Sequence, residues 1–444
     1  MFFKLHDIFT SKFLLIFTSA IFLNIINLII LIICARNFTN LEFGYFSIAQ
    51  TIFLILYSLS FHNAHIYLHK IMSLNFEKGV SKMSSVFLIR FYTSIFLYLI
   101  LCIIIIFTDL NNDLKKLILI FNVIIIIEPF TIMYSYFFIK KKFILLSTIA
   151  YFHSIFFLIL KILAVFLFKN IFILAFCYVV EFFFLAIVLI YIDHISDKIF
   201  STFKFSIKNI FKTLKKIYLL PFLSIFTVIA LRIDVLMLAY FVDEVASGIY
   251  SISSRLVGIC LIAGTLFSNI IYPDFAKSSN KYILQKNFQF LLSFSNLISL
   301  SLILCIFLFG DYYLQIFGDG FSISSNTLKI LSINILIGTI VISWSNKQYI
   351  SGNYFLIIVF QIMAILLNII LNYYFIPILF LNGAALATLL STIISLALCL
   401  VFNPQDAQSI VTSFSIEKMI ITAKRIFKVI LLKKNPEKRE NKKL

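Results

Sequence analysis

Seven ionisable side chains other than histidine fall inside apolar stretches of the chain: Arg90, Glu128, Lys161, Glu181, Arg232, Asp234 and Arg255. A charged residue costs about 2.5 to 3.5 kcal/mol at the centre of a membrane helix, so each of these needs a partner, water or a ligand. Cations outnumber anions among them, a balance suited to holding an anion in a shared lumen. Arg232, Arg255, Arg90 and Lys161 are therefore the candidate anion-binding residues, since guanidinium forks match phosphate oxygens two at a time. Asp234, Glu181 and Glu128 are the acids available to the same lumen. Glu181 and Asp234 can alternate between pairing with the cations and holding a proton, and Glu128 stands beside Pro129, where a helix can unwind locally. Arg232 and Asp234 are two residues apart, which at about 100° per residue puts them on nearly opposite helix faces, each in need of its own partner.

Other reactive residue types carry less. His62, His65 and His69 share one helix face at spacings of three and four, but without a carboxylate or cysteine beside them they read as interfacial histidines. The six cysteines contain no CxxC pair and read as buried free thiols, so neither a metal nor a cofactor is expected. No compact cluster of acids or histidines beside an Arg occupies a large outer loop, which leaves catalysis, for example by a membrane-embedded polymerase or ligase, little to stand on.

The elements that must position these charges are membrane helices. With 62% hydrophobic and 13% charged residues and a mean hydropathy of +1.06, the 444-residue chain lacks the polar surface of a soluble globule. Apolar runs long enough to span fall near 13–34, 45–67, 83–107, 117–139, 143–167, 170–192, 217–241, 248–271, 289–309, 325–345, 353–376 and 382–402. Pro129 and Pro221 are expected to break the fourth and seventh. If the N-terminus is cytoplasmic, the inside segments hold 28 of the 37 Lys and Arg, and the outside loops hold five. Both termini are then inside, and the net charge of +18 belongs to a face that meets anionic lipid, with no need of nucleic acid. The organisation is a first lobe, 1–192, an amphipathic cytoplasmic linker, 193–216, a second lobe, 217–402, and a basic cytoplasmic tail, 403–444. In the linker, Lys204, Lys208, Lys212 and Lys216 recur every four residues opposite an apolar face, and "SIEKMIITAKRIFKVILLKK" repeats that pattern in the tail.

The chain also repeats itself. Shifted by 204 residues, "TNLEFGYFSIAQTI" from Thr39 falls on "DEVASGIYSISSRL" from Asp243, matching Gly44 with Gly248, Ser47 with Ser251 and Ile48 with Ile252. Six spans separate the copies, so both enter the membrane in the same sense, and the fold class expected is an all-α membrane protein of about twelve helices in two six-helix lobes related by a parallel repeat. At the same shift Arg232 falls on Leu28, Asp234 on Ile30 and Arg255 on Thr51, which assigns the three charges to function more readily than to architecture.

"ARNFTNLEFGYFSIAQ" from Ala35 and "RIDVLMLAYF" with "GIYSISSRL" further on resemble the first loop, second helix and seventh and eighth helices of bacterial flippases for lipid-linked oligosaccharides. Those flippases, which serve O-antigen and capsule synthesis, belong to the multidrug, oligosaccharidyl-lipid and polysaccharide exporter superfamily. The resemblance implies alternating access in the bacterial cytoplasmic membrane, a cationic cavity for the diphosphate of an undecaprenyl-linked glycan, and coupling to a proton or sodium gradient, for which Asp234, Glu181 and Glu128 are the candidates. It also implies a polysaccharide polymerase and a chain-length regulator as partners. By position, Arg232, Asp234 and Arg255 carry over as cavity residues, with Arg90 and Lys161 behind them. A multidrug antiporter of the same superfamily would favour an acidic or aromatic cavity, and a peptidoglycan-precursor flippase usually has two further helices.

Overall fold

The computed structural model describes residues 11–203, 206–275, 281–351 and 353–415, and these contain helices and turns with no strand. Nine helices among them are long and apolar enough to cross a membrane. Together with Ser11–Asn37, Leu220–Phe241 and Glu244–Phe275 they make twelve long helices of an all-α, multi-pass membrane protein. In chain order they are α1 (Ser11–Asn37), α2 (Asn40–Leu59), the short α3 (Ala64–Leu74), α4 (Phe76–Ile106), α5 (Asn112–Ile139), α6 (Phe143–Phe168) and α7 (Ile171–Ser196). The short α8 (Ile207–Ile217) precedes α9 (Leu220–Phe241), α10 (Glu244–Phe275), α11 (Lys281–Phe317), α12 (Ser325–Ser351), α13 (Tyr354–Leu379), α14 (Leu381–Val401) and the short α15 (Pro404–Ser413). Two compact units result: Met1–Ser251 with Gln315–Phe321, and Ile252–Leu314 with Ser322–Leu444.

Small polar residues fix where the helices begin. Thr39 and Glu42 form a capping box at α2, with the Glu42 amide donating to Thr39 Oγ1 at 3.2 Å and the Thr39 amide to Glu42 Oε2 at 2.9 Å. Its partner in the repeat does the same work, since Asp243 Oδ1 accepts the Ala246 amide at 2.6 Å at the start of α10. Asn75, Asn111 and Asn170 cap α4, α5 and α7 in the same way.

Two elements depart from the sequence expectation, the second span and the helix at Pro221. The second span ends at Leu59 and not near 67: Phe61 turns the chain with φ 59°, the Ser60 hydroxyl bonds the Tyr57 carbonyl at 2.8 Å, and α3 starts afresh at Ala64. Ser58, Ser60, His62 and Asn63 interrupt the apolar run here, but a hydropathy average over a span-length window does not register so short a break. Consequently His62 lies in the turn, off the helix that carries His65 and His69. Pro129 does convert one turn to a 3-10 helix, Glu128–Ile132, within α5. Pro221, by contrast, sits in the first turn of α9, where its missing N–H costs nothing, and does not break it.

At one end of the first unit, Leu68, Met83, Met133, Tyr136 and Phe137 bury one another, and Ile217 of α8 joins them. Ile207 and Phe211 on α8 are exposed, so the linker helix offers an apolar face outward as well. Beside this cluster Asp193 accepts the amides of Ile199 and Phe200 at 3.1 and 2.8 Å, while Asp197 takes Lys140 at 2.7 Å and Lys142 at 2.8 Å. Burial works against the charged carboxylate, yet the hydrogen bonds and charges of the two lysines hold Asp197 down at about 2. In the second unit Trp344, Phe288 and Phe360 centre the core. Lys204 and the basic amphipathic tail from 416 lie outside the described residues.

Candidate functional site

The intramembrane charges assemble into three sets. In the first, the 3-10 turn at Pro129 aims Glu128 at α4, where it forms an ion pair with Arg90; the two residues are 2% and 3% exposed. The turn's freed groups stay satisfied, since Thr131 Oγ1 donates to the Glu128 carbonyl at 2.8 Å. The other carboxylate oxygen, Oε1, lies 3.0 Å from His62 Nδ1 and 3.4 Å from the Tyr57 hydroxyl, which in turn is 3.1 Å from His62 Nε2. The Tyr57 and His62 rings stack at 4.1 Å between centroids.

In the second set Lys161 of α6 pairs with Glu181 of α7, and its ammonium lies 3.5 Å from the centre of the Tyr178 ring. Lys161 is 2% exposed, and His153 Nε2 sits 3.1 Å from the Glu181 carbonyl oxygen. Just past Lys161 the helix loosens into a π turn, Ala164–Phe168, beside an apolar cavity of about 370 Å³ lined by Phe157, Leu160, Phe176 and Cys177 among others.

The third set lies on α9 and the start of α10. Asp234 is buried and accepts the Tyr250 hydroxyl at 2.7 Å. Arg232 is half-buried, lies within electrostatic reach of Tyr250 and Asp234, and forms no hydrogen bond or ion pair among the described residues. The geometry agrees with the helical spacing, which forbids a direct Arg232–Asp234 bridge. Nearby the repeat closes on itself: Ser47 Oγ and Ser251 Oγ, equivalent under the 204-residue shift, meet at 2.9 Å. Gly44 and Gly248 allow that approach, because a Cβ on Gly44 would stand 2.0 Å from the Glu244 carbonyl oxygen and one on Gly248 3.0 Å from Gly44 Cα. Arg255 belongs to the second unit, where it acts electrostatically on Tyr313.

Of the seven charges, then, Arg90 with Glu128 and Lys161 with Glu181 neutralise each other, while Arg232 has no carboxylate in ion-pair range among the described residues. Tyr57 and His62 join the Glu128 set although the sequence reading left them out. The helical His pattern drew attention to the right stretch, but the turn that carries His62 to Glu128 has no hydropathy signature. Among the described residues no group of three His, Cys, Asp or Glu side chains is arranged to hold a metal ion. Chemically the arrangement provides, in Arg232, a half-buried guanidinium able to receive an anion, and carboxylates and a histidine able to exchange a proton.

No curated protein matches the chain in sequence. Among solved structures it is similar to a lipid II flippase MurJ in an inward closed conformation, with a TM-score of 0.69 at 18% identity, covering 94% of this chain and 98% of that one. It is also similar to an inward-facing multidrug resistance MATE family transporter of the MOP superfamily, with a TM-score of 0.67 at 11% identity over 88% and 95% of the two chains. A third likeness is to a MOP superfamily transporter from Pyrococcus furiosus, described as having a binding pocket of reverse polarity. Here the TM-score is 0.61 at 12% identity over 90% and 96%. These likenesses establish the fold. The family described as polysaccharide biosynthesis protein matches residues 9–279, more than half of the sequence, and the chain belongs to that family.

Proposed function

We propose that the chain is a flippase that moves an undecaprenyl-diphosphate-linked oligosaccharide from the inner to the outer leaflet of the bacterial cytoplasmic membrane, for surface polysaccharide synthesis. Its two six-helix lobes, 1–192 and 217–402, alternate access around a cationic site, both termini face the cytoplasm, and transport is coupled to a proton or sodium gradient. The observation that carries this reading is Arg232. A guanidinium half-buried in a membrane helix without an ion-pair partner among the described residues is costly unless a ligand receives it, and a diphosphate accepts its paired N–H groups. Arg255, one turn past Ser251, is the second anion-binding candidate. Family membership supports the polysaccharide pathway, and the fold is one that the lipid II flippase shares.

The multidrug-antiporter alternative is weaker on the same ground. A cationic drug needs an acid without a cation partner, whereas Glu128 and Glu181 each hold one. Arg90 and Lys161 accordingly serve the site through those carboxylates, and Asp234, Glu181 and Glu128 are the coupling candidates.

The test is deletion of the gene and restoration by variants, with the lipid-linked glycan analysed by mass and surface glycan measured beside protein abundance. Export is expected to fall in the order wild type, Arg232→Lys, Arg232→Ala, with Arg232→Glu inactive at equal abundance. Wild-type export by Arg232→Glu refutes the anion-site assignment.

A further inference from the structure

Three imidazoles follow one another from the buried Arg90–Glu128 pair, His62 in the turn and His65 and His69 on α3. His62 and His65 have ring centroids 5.2 Å apart, and His65 and His69 5.5 Å apart. The row ends with His69 stacked on Phe138 at 5.2 Å, close to Lys140 and the basic segment that the charge distribution assigns to the cytoplasm. His65 Nδ1 lies 3.0 Å from the His62 carbonyl oxygen, and His69 Nε2 is buried without a partner among the described residues. An unmet imidazole nitrogen inside a protein is costly, and a row of three imidazoles is more than a turn needs for support.

The hydrogen-bond inventory fixes the protonation of the first member. Glu128 is an ionised acceptor in its pair with Arg90, so His62 Nδ1 must carry a hydrogen and donate to Oε1. In neutral His62, Nε2 is then the nitrogen open to a proton, while the Tyr57 hydroxyl, 3.1 Å away over the face of the stacked ring, donates to Glu128 Oε1 at 3.4 Å. A proton added at Nε2 turns that nitrogen into a donor. One proton is taken up, no other bond is made or broken, and the set's net charge rises from zero to plus one. Groups facing His62 come from every neighbouring element: Tyr57 from α2, Arg90 from α4, Glu128 from α5, His65 from α3, and from α9 the uncharged Ser224, bonded to Asn63 at 2.9 Å.

We propose that Tyr57, His62 and Glu128, held in place by Arg90, form a proton-binding site, and that His65 and His69 carry protons between it and the end of the helix bundle. The spacing between rings is crossed by a ring rotation or a single bridging water. The inference rests on the transporter reading above and deepens it by naming the coupling ion as a proton and the site as this one, in place of Asp234 or Glu181.

Purified full-length protein in nanodiscs, with ring-labelled ¹⁵N-histidine, is titrated by NMR from about pH 5 to about pH 9, and the His62 signal is identified by its loss in His62→Gln. The neutral form is expected to carry its hydrogen on Nδ1. Glu128→Gln is expected to lower the proton affinity of His62 by about tenfold or more through loss of the anion. Glu128→Asp keeps the charge opposite Arg90 but shortens the reach, and a fall of about threefold is expected from it, so the test survives if Glu128→Gln does not fold. An unchanged His62 titration in both variants, or a neutral tautomer with the hydrogen on Nε2, overturns the proposal.

Surface-glycan export in deletion cells separates it from the flippase reading. If the wild-type chain restores export and His62→Gln does so with the same dependence on external pH, the proton site falls while the flippase stands. If the wild-type chain restores nothing, the flippase reading falls, and the NMR titration decides the site on its own.

Discussion

Adding one methyl group at Gly44 is expected to push α2 and α10 apart. The new Cβ would stand 2.0 Å from the Glu244 carbonyl oxygen, where ordinary contact begins near 3.4 Å, so the helices must separate by about 1.4 Å. The obstacle is main chain, which no side-chain rotation relieves. A shift of that size takes the Ser47–Ser251 hydroxyl pair from 2.9 Å to well beyond hydrogen-bond range. Overpacking of this kind costs about 1 to 3 kcal/mol, which disfavours the touching arrangement by roughly 5- to 150-fold. Gly248→Ala is expected to do less, because its closest approach is 3.0 Å, and Gly258→Ala, with nothing within 4 Å, serves as the control. The assay is the rate of disulfide formation between Ser47→Cys and Ser251→Cys in membranes, with the six native cysteines replaced. Slower cross-linking in the order Gly258→Ala, Gly248→Ala, Gly44→Ala is predicted. Equal rates in Gly44→Ala and the control refute the packing argument.

Three further outcomes follow from other parts of the molecule. Lys161→Met or Glu181→Leu alone leaves a charge stranded and is expected to cost about 3 kcal/mol or more, whereas the double replacement recovers most of it; thermal unfolding in detergent measures this, and two harmless single variants contradict it. Because Asp197 is held down at about 2, its contribution is present above the ordinary carboxylate value and is lost as pH falls through about 2, so the small stability difference between wild type and Asp197→Asn, under about 1 kcal/mol for a partly exposed pair, should be constant near neutrality and vanish in acid. A reporter active only outside the cytoplasm should work when inserted after Leu110 and be silent after Leu444; the reverse pattern overturns the orientation.

Hydropathy captured the long helices because a membrane span is a one-dimensional property, readable from an uninterrupted apolar run. It missed the turn at Phe61 because Ser60, His62 and Asn63 alternate there with Leu59, Phe61 and Ala64, a polar break too short to lower an average taken over the length of a span. Capping was legible afterwards in Thr39–Glu42 and Asp243, where short polar side chains precede apolar runs. The charge pairs were of another kind. Arg90 and Glu128 are 38 residues apart and Lys161 and Glu181 are 20, and which cation meets which acid depends on how the helices rotate about their axes. Composition announced that the charges needed partners, and only the packed helices named them. His62 lay furthest from view, since its role depends on leaving the very helix whose periodicity made it noticeable.

The contact between Ser47 and Ser251 joins each residue to its own counterpart. A surface that meets its own copy in this manner is what a two-fold dimer presents, in which every residue occurs twice. Within such a dimer a buried Arg and Asp could only be acquired in pairs, doubling the cost of placing charge in hydrocarbon. A chain that holds both copies in one polypeptide has no such constraint. It can keep Leu28 and Ile30 on one side of the axis and place Arg232 and Asp234 on the other, so that the symmetric contact persists while the two halves carry different charges.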